Sequence, residues 1–154
     1  MFSMASDSVA PCDQQPGKPT TDASTSSYSV ILGTHTGIDT VSVGALNLAL
    51  ASILLPNLVI TGAAANDVIT LAGDSALNTI LAPVTASTTV ALTIAAIGVA
   101  ADVTAHSVAY SVFNGNTYVA ESNTTGGLAG SLTVIELVGS HTFTAGTGHI
   151  TVAS

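Results

Sequence analysis

Hydroxyls apart, the side chains in this 154-residue chain that could support acid–base, nucleophilic or metal chemistry are few: four histidines, nine acidic residues, one cysteine and one lysine. Cys12 has no partner for an internal disulfide. His35, His106, His141 and His149 are widely spaced and lack a nearby cysteine cluster, so no zinc-site spacing is present. They read as strand-end or loop residues rather than as bases. No G-x-S-x-G nucleophile elbow occurs. Glu121 and Glu136 could be brought across neighbouring strands into a glycosidase-type carboxylate pair. Their simpler reading is as solvent-facing strand residues that discourage edge pairing. Asp39, Asn66, Asp67 and Asp74 lie between short apolar runs, where Asx side chains close turns. No catalytic residue is assigned.

The charge balance excludes whole classes of function. Charged residues make up 6% of the chain, against about 25% in an ordinary soluble domain. With Lys18 as the only basic residue and a net charge of -8, the chain lacks the cationic surface that phosphate backbones or anionic lipids require. Nucleic-acid binding is not expected, and phosphoryl-transfer chemistry lacks its basic anion clamp. The most apolar stretches, 46–60 and 90–101, are interrupted by Asn47, Pro56 and Asn57 or are too short to cross a bilayer, so no membrane insertion is expected.

Residues 1–27 combine three prolines with clustered Ser, Thr and Asp and show no apolar periodicity, which predicts a disordered leader. It has neither the basic start nor the apolar run of a Sec signal. From Tyr28 onward, short Val/Ile/Leu/Thr runs punctuated by Gly, Asn and Asp predict a single mainly β domain over 28–154. Candidate strands are 28–32, 40–43, 58–61, 68–71 and 79–82. They are short and evenly punctuated, as in the rungs of a β-roll. The segments TGIDTVSVGA and AANDVITLAG share an Asp followed by alternating aliphatic and hydroxyl residues, a degenerate internal repeat.

Roll-like strands are expected over 28–87, and a helix plus a C-terminal hairpin module over 88–154. Within 88–103, Val90, Ile94, Ile97 and Ala101 recur at spacings of four, three and four. That periodicity predicts one helix, with Ser87 placed to cap its start and Gly98 as a weak point. Next, SVAYSVF and NTYVAES flank Asn114-Gly115, the pair that best accepts a type I′ hairpin turn. A two-residue loop sets Phe113 opposite Asn116 and puts Val108, Tyr110, Val112, Thr117 and Val119 on one core-facing side. An aliphatic strand over 132–138 and two short runs to the C-terminus complete a β-roll or sandwich-like module.

The run SVAYSVFNGNTYVAESNTTGGLAGSLTVIELVGSHTF resembles the C-terminal domain of type I-secreted bacterial surface proteins, which include surface-layer and RTX-like β-repeat proteins. The resemblance extends over about residues 58–154. It is carried by Phe113, Gly115, Thr117, Tyr118 and Val119, then by Val134, Ile135, Glu136, Leu137 and Gly139. It implies a β-roll-like region capped by a β-rich module, export through a type I ABC exporter by an uncleaved C-terminal signal, and an extracellular or cell-surface location. In such proteins a G-G-x-G-x-D-x-U-x repeat holds calcium through turn carbonyls and Asp carboxylates. Here THTGIDTVS keeps Gly37, Asp39 and Val41 but has Thr34 and His35 in place of the paired glycines. GAAANDVIT keeps Gly62, Asp67 and Ile69. Asp39, Asn66, Asp67 and Asp74 are thus the calcium candidates, without a tight calcium ladder.

The expected function is that of a non-enzymatic structural protein, the secretion and assembly region of a surface-layer or RTX-like polypeptide, with self-association or a surface polysaccharide as its partner. The alternatives are the export module of a secreted hydrolase and a calcium-dependent adhesin module.

Overall fold

Short β-branched and hydroxyl-bearing runs, ended by turn formers, produce four short strands that stack in parallel pairs. A computed structural model describes residues 28–43, 55–71, 79–80, 83–102, 107–122 and 132–154. In it, β1 (Tyr28–Ile31) runs parallel to β3 (Leu58–Thr61), with Tyr28 opposite Leu58. β2 (Thr40–Ser42) runs parallel to β4 (Val68–Thr70). β1 and β2 belong to different sheets, as do β3 and β4, so each pair forms one rung crossing from sheet to sheet. The pairing sets 40 against 68, 41 against 69 and 42 against 70, a constant offset of 28. The two similar segments in the sequence are separated by this same offset, so the repeat is the stack itself.

The remaining strands are β5 (Thr79–Ile80), β6 (Ser107–Phe113), β7 (Asn116–Ser122), β8 (Leu132–Leu137), β9 (Phe143–Gly146) and β10 (His149–Val152). The strand order is β1-β3-β8-β7-β6-β5 in the six-stranded sheet and β2-β4-β10-β9 in the four-stranded one. β8 pairs in parallel with β3, while β10 pairs antiparallel to β4. The C-terminal module therefore extends both sheets of the roll. The fold is mainly β, with one helix among the described residues; the 28–32, 40–43, 58–61 and 68–71 expectations match β1 to β4 within a residue, and of 79–82 only Thr79–Ile80 (β5) lies within the described residues.

The two sheets face each other across one apolar core. Val41, Ile69, Ile150 and Val152 of the small sheet meet Leu58, Ile60, Val108, Tyr110, Val119, Ile135 and Leu137 of the large one. Tyr110 and Phe143 make an edge-to-face contact with centroids 5.3 Å apart, a geometry favoured by the ring quadrupoles. On the outer face of the large sheet lies α1 (Val90–Ala101), burying Ile94, Ile97 and Ala101 against Ala109, Tyr118, Ala120, Leu132 and Val134. β6, β7 and β8 are thus covered on both faces, which explains why successive residues along them are buried. No helix among the described residues is long and apolar enough to cross a membrane.

Two local expectations need adjustment. The helix cap is Thr89, not Ser87: its backbone is extended (φ -139°, ψ 160°) and its hydroxyl accepts from the Leu92 N–H at 3.2 Å. A capping oxygen reaches the N–H two or three residues into the helix. Ser87 lies too far upstream, and its N–H donates to Thr93 Oγ1 at 3.1 Å. In the hairpin, Phe113 pairs with Asn116 as expected, and Asn114 and Gly115 have φ of 51° and 83°. Val112 is partly exposed at the hairpin tip, whereas Val108, Tyr110, Thr117 and Val119 are buried.

Candidate functional site

Among the described residues, a cluster of titratable groups sits where the two rungs turn from one sheet to the other. His35 and Asp39 lie between β1 and β2, and Asp67 ends the turn between β3 and β4. That second turn is set locally. Asn66 adopts φ 79°, the Asp67 N–H donates to the Ala64 carbonyl at 3.1 Å, and the Ala64 N–H donates back to Asp67 Oδ2 at 2.8 Å. Gly62, at φ 87°, passes so close to the Leu32 carbonyl of the first rung that a Cβ would collide with it. The two corners are thereby held in contact.

Asp67 is buried and joins the rungs. Its Oδ1 accepts from the Asp39 N–H at 3.0 Å and from His35 Nε2 at 3.1 Å. His35 Nδ1 lies 2.7 Å from the Gly33 carbonyl and 3.4 Å from Asp39 Oδ2. Both ring nitrogens thus face acceptors, a setting that favours the imidazolium, in which both donate. The hydrogen bond to Gly33 and then the one to Asp67 raise the His35 pKa above the ordinary histidine value. For Asp67, burial pushes the carboxyl up, but the Asp39 and Ala64 N–H groups together with His35 outweigh it and hold the pKa below the usual carboxylate range. The cluster is a charged clasp between rungs.

Of the calcium candidates, Asp39 and Asp67 come together at this corner, Asn66 shapes its turn, and Asp74 lies outside the described residues. Both Asp67 oxygens already accept hydrogen bonds, and the Asp39 side chain is 40% exposed. Among the described residues, no group of three or more His, Cys, Asp or Glu side chains is arranged to hold a metal ion.

A second network fastens the hairpin to the tail. Asn116 Nδ2 donates to Glu136 Oε1 at 2.6 Å, and its Oδ1 accepts from the Gly139 N–H at 3.2 Å. Thr117 Oγ1 donates to the Gly139 carbonyl and accepts from the His141 N–H, both at 2.8 Å. His141 Nδ1 lies 3.0 Å from the Ser154 carbonyl. Burial, then the nearby Glu136 carboxylate, push the Tyr118 hydroxyl pKa up. Glu121 and Glu136 do not form a pair. Glu121 stands opposite Val108 and Glu136 opposite Tyr118, which places the two carboxylates on opposite faces of the sheet. Nor is Glu121 solvent-facing: at 1% exposure it lies among the inward residues of β7.

His149 begins β10 and His141 lies between β8 and β9, the strand-end and loop positions expected, while His106 lies outside the described residues. The His35–Asp67 contact was not read from the sequence. The one signal that could have found it is the internal repeat, which superposes Asp39 on Asp67 and so stacks their turns. No protein-family model matches the chain, and no curated protein matches it significantly.

Proposed function

We propose that the chain is a non-enzymatic structural module of an extracellular or cell-surface protein, the C-terminal secretion and assembly region of a surface-layer or RTX-like polypeptide. The observation behind this reading is the 28-residue rung stack, joined by backbone pairing and by an Asp67 carboxylate whose oxygens both accept bonds within the stack. A charge-poor, Thr- and Val-rich chain is suited to such construction, because strand ladders need no side-chain charge. The hairpin network likewise ties strand to loop.

The tail bears on export. β9 and β10 are strands of the small sheet, with Ile150 and Val152 buried, so a type I ABC exporter would have to read this segment before the sheet closes. The test is to express the chain beside such an exporter, with and without residues 140–154, using an established substrate of the exporter as control. Only the full chain should reach the medium. Equal appearance of both forms, or of neither while the control is exported, overturns the reading.

A further inference from the structure

We propose that the open end of the rung stack, the outer edges of β1 and β2, is a two-fold interface with a second copy of this chain. The inference rests on the reading of the chain as an assembly module and names the surface that would assemble.

β1 is the terminal strand of the six-stranded sheet and β2 that of the four-stranded sheet, and both belong to the first rung. Among the described residues each pairs on one side only. The Tyr28 and Leu32 N–H groups donate to the Asn57 and Thr61 carbonyls, so strand alternation turns the backbone groups of Ser29 and Ile31 outward. In the other sheet the Val43 N–H reaches the Thr70 carbonyl and the Asp39 carbonyl receives the Val68 N–H, leaving Thr40 and Ser42 to face out. Exposed edges are normally guarded by lysine, proline or a bulge. Residues 28–43 contain no lysine, arginine or proline, and Asp39 is their only acidic residue.

The same rung carries the three most exposed large apolar side chains among the described residues: Ile31 at 77%, Ile38 at 66% and Tyr28 at 65%. Tyr28 and Ile31, three residues apart on β1, flank its edge on opposite faces. With Ile38 in the following turn they expose on the order of 400 Å² in all, an amount that adds to the backbone ladders and is about half of one partner's share of a standard interface. Residues 1–27 are poorly suited to fill the place. At the repeat offset of 28, Asp39, Val41 and Val43 correspond to Pro11, Asp13 and Gln15, and prolines at 11, 16 and 19 cannot donate to a ladder. A second copy presents what the edge lacks. Because β1 and β2 lie in facing sheets at the same end of the stack, one two-fold axis across that end pairs both edges antiparallel at once and closes the assembly at two copies. With one acidic residue per rung, the contact brings little like charge together even though each chain carries a net charge of -8.

The test is sedimentation velocity on the full chain from about 1 to about 200 µM, a range that brackets a weak interface of this size. The double variant Ile31→Lys with Ile38→Lys runs in parallel, and amide exchange is followed at Ser29 and Ile31. The natural chain should pass from monomer to dimer and stop there, with protection of the two amides rising as dimer forms. The variant, altered at exposed positions only, should keep the same melting temperature and remain monomeric throughout. A natural chain that stays monomeric, growth beyond dimer, equal dimerisation by the variant, or amide protection independent of concentration overturns the proposal. The last of these would make residues 1–27 of the same chain the occupant. Neither result depends on export, so failure here and failure of the secretion assay are separate outcomes.

Discussion

Replacing Asp67 with Asn tests whether the inter-rung clasp holds the fold. The substitution keeps the side chain's size but gives an amide NH2 where a carboxylate oxygen stood. Three donors converge on that carboxylate: Asp39 N–H at 3.0 Å, His35 Nε2 at 3.1 Å and Ala64 N–H at 2.8 Å. In either amide orientation at least one of them meets a donor instead of an acceptor, and every bond loses its charge assistance. A lost bond to a charged group costs about 1.5–3 kcal/mol, and a stranded buried donor costs a similar amount, so the expected loss is about 2–4 kcal/mol. For a domain of this size that lowers the melting temperature by about 6–12 °C. Urea unfolding followed by circular dichroism near pH 6 measures the loss directly. Asp39→Asn is the control, since its more exposed carboxylate contacts His35 only at 3.4 Å and such pairs contribute about 0–1 kcal/mol. A loss below about 0.5 kcal/mol for Asp67→Asn, or equal losses for the two variants, would refute the clasp.

Stability should also depend on pH with opposite signs on the two sides. Because the folded Asp67 pKa is lowered, its contribution is complete above the usual carboxylate range and disappears as pH falls through the folded value. The His35 pKa is raised, so its contribution is complete below the ordinary histidine value and disappears as pH rises through the folded one. Denaturation midpoints from about pH 3 to about pH 9 should therefore peak between the two, and Asp67→Asn should flatten the acid side most. Gly115→Val, at φ 83° with open space around it, should cost about 1–2 kcal/mol from backbone strain alone. Gly62→Ala combines φ 87° with a collision against the Leu32 carbonyl and should cost about 3 kcal/mol or more; equal losses by calorimetry would show that the rungs do not touch there. Calcium at millimolar concentration should raise the melting temperature by less than about 3 °C, because the Asp67 oxygens already accept hydrogen bonds. A rise above about 10 °C that Asp67→Ala abolishes would instead make Asp39 and Asp67 ligands.

Much of the local structure was legible in the sequence, because its causes lie within a few residues. Short runs of Val, Ile and Leu with Thr or Ser, ended by Gly, Asn or Asp, define β1 to β4 almost to the residue. Asn114-Gly115 fixes the hairpin register, since a two-residue loop leaves one way to pair Phe113 with Asn116. The four-three-four spacing of Val90, Ile94, Ile97 and Ala101 reveals the helix and its buried stripe. The repeat gives the offset at which two of the strands stack.

Tertiary structure decided what depends on contacts between distant segments. β8 lies between β3 and β7, a placement that no local pattern specifies, and this joins the roll and the hairpin into one pair of sheets. Once α1 covers the outer face, Ala109, Tyr118 and Ala120 become core, and alternation along β6 and β7 no longer separates buried from exposed residues. Inward-facing Glu121 is likewise buried by the facing sheet, although its neighbours in sequence suggest a surface strand. His35 meets Asp67 across 32 residues because two turns stack. Strand and turn preferences act over a few bonds, whereas a carboxylate's burial and its charged state depend on what the rest of the fold places against it.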